Sequence, residues 1–468
     1  MVGVNRSKAC ITCIRRKKGC DQQKPTCGQC RKSCIECKGY DRPRTFVNSF
    51  VQEDAKNAGD PGQTNLEVAF SRNLMRSARE TSVLGLFWNS YFPNGKKLPQ
   101  GGTITILGGL MHLVQEIYTA DDLLRKTIVA LSLSAIGMQE DPSGWMREKG
   151  RRLYGDALQG AVTLLQNPRR RQENGLLIVI RLFSLYEVMS ALELIGDSDE
   201  QSLTWMTHCF GDAAIIQDRG PLAFVSGAAH RLFVDGRLHL IMTSLRTRKK
   251  CFLSDPAWKK LPWNEIKKSP KDLLLDILVD VPTLFEAIDI MSHCKDAIQK
   301  ADYLECLYLE YVSLEKRLRM WHRKFSPVLI ILERNIIVQD VVVPQILAAG
   351  HVSTLYWATC IIVYGIVAIS LMAEGYGEEC FRGKYINPAI FCQNILRIIP
   401  LFLHYSTGIF RVHLATPPLS IAMIYLCSLH PEEMKEEKAM LSGYLQDPLC
   451  STMRKFLASM NPQEATEL

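Results

Sequence analysis

Two copies of the spacing Cys-x2-Cys-x6-Cys stand in tandem near the start of the chain. Cys10, Cys13 and Cys20 form the first, Cys27, Cys30 and Cys37 the second, and the six residues 21–26 separate them. Thiolates are soft ligands, and Cys-x2-Cys is a spacing at which a tight turn presents two of them to one zinc ion. Zinc normally takes four ligands, so six cysteines close two sites only if two of them bridge. Four terminal and two bridging sulfurs then fill the eight positions. Cys34 is a seventh thiol, but pairing it with Cys30 leaves a shorter gap than the first copy has. Cys37 is therefore taken as the ligand and Cys34 as a spare, with the reverse assignment as the alternative. Independent Cys2His2 fingers fail for want of ligands, because the first histidine is His112. In so short a module, metal binding would itself be the folding energy.

Cations crowd the same segment. Arg15, Arg16, Lys17 and Lys18 run unbroken between Cys13 and Cys20. Two zinc ions and six thiolates sum to a negative cluster, so one role for these side chains is counter-charge. The other is readout: all four fall within about one helical turn after Cys13, and a short helix fits a major groove, where Lys and Arg donate to guanine N7 and O6. Arg6, Lys8, Lys24, Arg31, Lys32, Lys38, Arg42 and Arg44 suit phosphates, which position a module without specifying sequence.

Of the 468 residues, the first 46 hold twelve Lys or Arg against three acids, a balance of +9. The other 422 carry 44 basic and 45 acidic side chains, so the polyanion-seeking charge belongs to the N-terminal tenth alone. No apolar signal segment precedes Cys10, so secretion and a disulfide framework are not expected. The nine later cysteines, scattered from Cys209 to Cys450, read as small buried hydrophobes.

The rest of the chain has to carry this module. Residues 1–40 are read as the metal module, 41–65 as a polar linker, and 66–468 as a large all-α body. Helical segments are predicted near 143–166, 176–194, 201–218, 271–291 with a break at Pro282, 302–324, 388–399 and 418–429. Arg219-Gly220-Pro221 is a helix stop. Residues 341–373 contain no Asp, Glu, Lys or Arg and are long enough to span a bilayer. Pro344, Gly350, His351 and Ser353 interrupt the stretch and no cationic cluster flanks it, so a buried core helix is expected and no membrane partner.

The run from Ala9 to Cys30, continued to Cys37 and including Asp21 and Pro25, resembles the fungal Zn2Cys6 binuclear cluster of transcription factors. The resemblance implies two zinc ions, with Cys10 and Cys27 bridging, Cys13 and Cys20 completing one site, and Cys30 and Cys37 the other. It places the base-contacting lysine at Lys17 beside Arg16, and implies a CGG-type triplet. Ile14 stands where the family often has a basic residue, and Gly19 where it often has Lys. Further along, Gly150-Arg-Arg-Leu-Tyr154, Leu185-Tyr-Glu-Val188, Trp205-Met-Thr-His208, Gly211, Arg219-Gly-Pro221, Ser226-Gly227, His230 and the stretch Leu253–Trp258 resemble the helical regulatory domain paired with such clusters. Trp205, His208 and His230 are read as packed residues at helix contacts rather than as a ligand site.

Together these features point to a nuclear, sequence-specific DNA-binding transcription factor of RNA polymerase II type, serving a metabolic or secondary-metabolite gene set. Its partners would be double-stranded DNA and the transcription machinery or coregulators. The alternative is a zinc-dependent adaptor or corepressor without direct readout. No His-Glu-x-x-His, P-loop, Gly-x-Ser-x-Gly or Gly-x-Gly-x-x-Gly occurs, so catalysis is not expected; Gly101-Gly102 and Gly108-Gly109 read as loop or packing glycines. No apolar heptad is sustained after Cys37, which leaves a homodimer to the helical body if one forms.

Overall fold

The structure, a computed structural model, describes residues 9–39, 64–92, 109–190, 198–335, 344–373 and 386–446. It divides into two compact units, Met1–Phe70 and Ser71–Leu468. The linker read at 41–65 falls almost wholly outside the described residues, as do Gly101, Gly102 and Gly108. Every element of regular structure among the described residues is helical.

The first unit holds two one-turn helices, α1 (Ile11–Arg15) and α2 (Gly28–Lys32). The helix α3 (Thr64–Tyr91) follows. The second unit continues with α4 (Gly109–Ile117), α5 (Asp122–Glu140), α6 (Trp145–Leu165), α7 (Pro168–Arg171), α8 (Asn174–Ser190), α9 (Ser198–Arg219) and α10 (Gly227–Thr247). Here α5, α6, α8 and α9 pack on one another. Then come α11 (Pro256–Lys260), α12 (Pro270–Leu278), α13 (Val281–Ser292) and α14 (Ala297–Asn335). A second packed group joins α14 to α15 (Pro344–Cys360), α17 (Ala389–Leu403) and α18 (Arg411–Cys427). Between α15 and α17 lies α16 (Ala368–Ala373), and α19 (Lys435–Gln446) closes the described chain.

The residues explain the elements. Helix α8 is apolar nearly all round, and Leu176 through Tyr186 are buried without a break, as a central helix requires. Gly150 sits where a Cβ would press on the Ala130 carbonyl at 3.0 Å, so α6 can lie close against α5 only with glycine there. Gly220, at φ +74, ends α9 at the expected stop. Gly408, at φ +67, lets the following amides of Ile409 and Phe410 donate to the carbonyls of Ser90 and Tyr91 at 2.8 and 3.0 Å, tying the end of α3 to α18.

Several boundaries differ from expectation. The break near Pro282 falls at Val279–Asp280, and Pro282 lies in the first turn of α13, where a missing N–H costs nothing. Pro417 and Pro418 lie inside α18 instead of starting it, because the anchor to Tyr91 begins the helix at Arg411. Helices α4, α5, α10 and α19 lie outside the segments that periodicity predicts. The apolar stretch near 341–373 forms α15, a π-helical segment Ile361–Val367 and α16. Over Gln345–Ala373 it is long and apolar enough to cross a membrane, yet 72% of its most apolar window is buried among the other helices. The later cysteines are not all buried: Cys209, Cys251, Cys360 and Cys392 are, Cys294 and Cys427 are half-buried, and Cys306 is exposed. At the surface Arg170 pairs with Glu173 at 2.7 Å and Arg248 with Asp289 at 2.6 Å.

Candidate zinc cluster and nucleic-acid interface

The first unit is organised by sulfur. Cys10, Cys13, Cys27 and Cys30 are completely buried, with Cys20 and Cys37 half-buried beside them. Two quartets have all their sulfurs within 4.8 Å of one another: Cys10, Cys13, Cys20 and Cys27, and Cys10, Cys27, Cys30 and Cys37. Cys10 and Cys27 belong to both. Tetrahedral zinc with Zn–S near 2.3 Å sets its sulfurs about 3.8 Å apart. The Cys10–Cys27, Cys10–Cys30 and Cys13–Cys27 sulfurs stand 3.7, 3.8 and 3.6 Å apart, so the donor set fits two zinc ions sharing two thiolates.

The two halves repeat with an offset of 17 residues. The amide of Cys13 donates to Cys10 Sγ at 3.3 Å, and that of Cys30 to Cys27 Sγ at 3.3 Å. Each one-turn helix then ends on a left-handed residue, Lys17 at φ 50 and Cys34 at φ 49. The next amide closes the turn in both: Lys18 N–H to the Cys13 carbonyl at 3.0 Å, and Ile35 N–H to the Cys30 carbonyl at 3.1 Å. This is the Schellman cap, which satisfies carbonyls at a helix end. Gln22 at φ 58 and Gly39 at φ 71 repeat the same relation. Cys34 is thus the counterpart of Lys17, exposed in a capping turn and outside both quartets.

Other contacts close the loop around the sulfurs. Asp21 accepts the Gly28 amide at 2.9 Å. The Ile11 amide donates to the Gly39 carbonyl at 3.0 Å, and Thr12 Oγ1 accepts the Lys38 amide at 3.0 Å. Residues 8–45 match the family model described as the fungal Zn(2)-Cys(6) binuclear cluster domain. The N-terminal unit carries that cluster domain. It binds two zinc ions through its six cysteines. No curated protein and no solved structure matches the chain.

Crowding in the cluster domain governs its thiols. Desolvation raises the pKa of Cys10 and of Cys13 and pushes that of Cys30 up to about 12, whereas amide hydrogen bonds, first that of Cys27, lower that of Cys37. A divalent ion reverses this balance, because coordinated thiols deprotonate.

Around the sulfurs the surface of the domain is cationic. Arg15, Arg16, Lys17 and Lys18 are all exposed, as are Lys24, Arg31, Lys32 and Lys38. Helix α1 ends at Arg15, so Arg16, Lys17 and Lys18 project from its capping turn and not from the helical turn expected. Arg31 reaches back to the Thr26 carbonyl at 3.2 Å. Lys8, Arg6, Arg42 and Arg44 lie outside the described residues. The 17-residue repeat exposes an asymmetry: where the first half has Arg15-Arg16-Lys17-Lys18, the second has Lys32-Ser33-Cys34-Ile35. The charged capping turn belongs to one half only.

In the helical unit the motif residues meet as packing. Tyr154 donates to Glu187 Oε1 at 2.5 Å, its hydroxyl stands 2.9 Å from His208 Nε2, and its ring stacks on Tyr186. His230 Nδ1 stands 2.9 Å from the Phe224 carbonyl. His208 and His230 are therefore held by structural partners. Trp205 is also buried but lines a cavity, together with Arg181 and Lys271, which were not singled out from the sequence. Arg181 shares one face of an otherwise apolar helix with Ser184 and Glu187, at spacing three, whereas nothing local marks Lys271.

Proposed function

We propose that the chain is a nuclear DNA-binding transcription regulator whose cluster domain reads a CGG-like triplet through Lys17 and Arg16, with Arg15, Lys18, Lys8, Arg31 and Lys32 on the phosphates or flanking bases. The observation that carries this reading is the six-sulfur cluster of a Zn2Cys6 domain with four exposed cations, Arg15 at the end of α1 and Arg16, Lys17 and Lys18 on its capping turn. The helical unit is read as regulatory, not catalytic.

The test is selection of bound sequences from a random DNA pool with the full-length, zinc-loaded chain. Enrichment of a CGG-type triplet supports the reading; enrichment of no sequence overturns it in favour of a protein-binding adaptor. Lys17→Gly is the informative companion, because glycine adopts the left-handed turn without strain. Zinc content should stay near two per chain while base discrimination falls by about 1–3 kcal/mol. Retained preference in that variant would remove Lys17 from the readout.

A further inference from the structure

The helical unit holds a cavity of about 190 Å³, partly open to solvent, where α8, α9 and α10 meet α12 and the start of α18. Tyr91 reaches it from the end of α3 and stands 2.7 Å from His413 Nε2. Leu110, Leu185, Trp205, Met242 and Phe410 make most of the wall apolar. Such a lining with a few convergent polar groups is the usual character of a small-molecule site.

The polar groups are deeply placed. Arg181 is 4% exposed, donates Nε to both Asp212 oxygens at 3.1 and 3.2 Å, and donates Nη1 to the Leu232 carbonyl. Its remaining nitrogen, Nη2, is buried without a partner. That nitrogen lies against Gly236, also on the cavity wall, where any Cβ would overlap the guanidinium. An unpaired buried donor on a cation is costly, so a fold that makes room for one calls for an acceptor. Lys271, 6% exposed, lines the same cavity at the first turn of α12. Asp212 is already engaged by Arg181 and by His239 at 2.6 Å. Two buried cations therefore border the space, with Asp235 the acid on its wall and His239 and His413 beside them.

We infer that this cavity binds a small organic acid with an apolar body, its carboxylate received by Arg181 and Lys271. At about 190 Å³ it falls below the size of sites for drug-sized ligands, roughly 300 Å³ and above, so the ligand is a compact acid and not a nucleotide. Because the wall joins α8, α9 and α10 to α12 and α18, occupancy stabilises the arrangement in which those helices meet. Calling the ligand an effector rests on the regulatory role proposed for this unit.

The experiment is calorimetric titration of the full-length, zinc-loaded chain with butanoate, 4-methylpentanoate and hexanoate, against hexanol and hexylamine. At least one carboxylate should bind one per chain, with the alcohol and amine weaker by about tenfold or more. Lys271→Met keeps the length and removes the charge, and should weaken the carboxylate by about tenfold or more with zinc content and thermal melting retained. Val188→Phe, which narrows the cavity, should abolish binding. Absence of carboxylate binding at millimolar concentration, equal binding of hexanol, or indifference to Lys271→Met each overturns the site. DNA selection reads the cluster domain separately, so loss of sequence enrichment with intact carboxylate binding would remove the transcriptional reading and leave this one standing.

Discussion

The sharing of two thiolates makes a quantitative claim about zinc. Cys10 lies in both quartets, Cys20 in one, and Cys34 in neither. The Cys10–Cys27, Cys10–Cys30 and Cys13–Cys27 sulfur separations, 3.6 to 3.8 Å, lie within about 0.2 Å of a zinc tetrahedron's edge. Replacing Cys10 by Ser leaves three thiolates in each quartet; replacing Cys20 leaves the second quartet whole. After gel filtration against a mild chelator, elemental analysis of the full chain should find about two zinc ions in wild type and in Cys34→Ser. It should find about one in Cys20→Ser and nearly none in Cys10→Ser. A structural zinc contributes about 10–16 kcal/mol of apparent binding free energy in short peptides, far more than a unit this small draws from apolar burial. Cys10→Ser should therefore also expose residues 9–39 to limited proteolysis, leaving the helical unit resistant. Equal zinc loss in Cys10→Ser and Cys20→Ser would refute the shared-thiolate arrangement. Zinc loss in Cys34→Ser would refute the assignment of Cys34 to the capping turn.

Two further outcomes concern the helical unit. Burial lowers the pKa of His351 and His413 below the usual histidine value, so the unfolded chain binds protons that the folded one refuses. Their contribution is fully present above about pH 6.5 and falls as pH drops, by up to about 1.4 kcal/mol per pH unit for each histidine; thermal melting at pH 7 and pH 5 measures this, and a pH-independent midpoint would contradict it. Asp212 is fully buried, and although desolvation opposes its charge, Arg181 and His239 hold its pKa below the usual carboxylate range. Asp212→Asn strands Arg181 and should cost about 3–5 kcal/mol, whereas Arg181→Met with Asp212→Leu should recover most of that loss; denaturant midpoints of the two variants decide.

How much could be read in advance varied with the range of the interactions. The cysteine spacing was legible because each ligand pair lies three residues apart in one turn, where local geometry leaves little freedom. The long helices α6, α8 and α9 were legible from periodicity and stops such as Arg219-Gly220-Pro221. The start of α18 was not, because it depends on hydrogen bonds from the Ile409 and Phe410 amides to carbonyls at the end of α3, more than three hundred residues earlier. The left-handed residue Lys17 also escaped notice, since lysine carries no signal for positive φ. Only its match to Cys34 across the repeat reveals the turn.

The order of residues along the chain decided its chemistry at the N-terminus: six thiols, a cationic run and a repeat are local facts, and a metal ion can assemble them without help from a distant core. The cavity was decided elsewhere. Arg181, Gly236 and Lys271 belong to three different helices, and nothing in their separate surroundings announces a common site. Close packing brought them together, because the apolar faces of α8, α10 and α12 must be buried against one another. The guanidinium then occupies space that any side chain larger than that of Gly236 would fill.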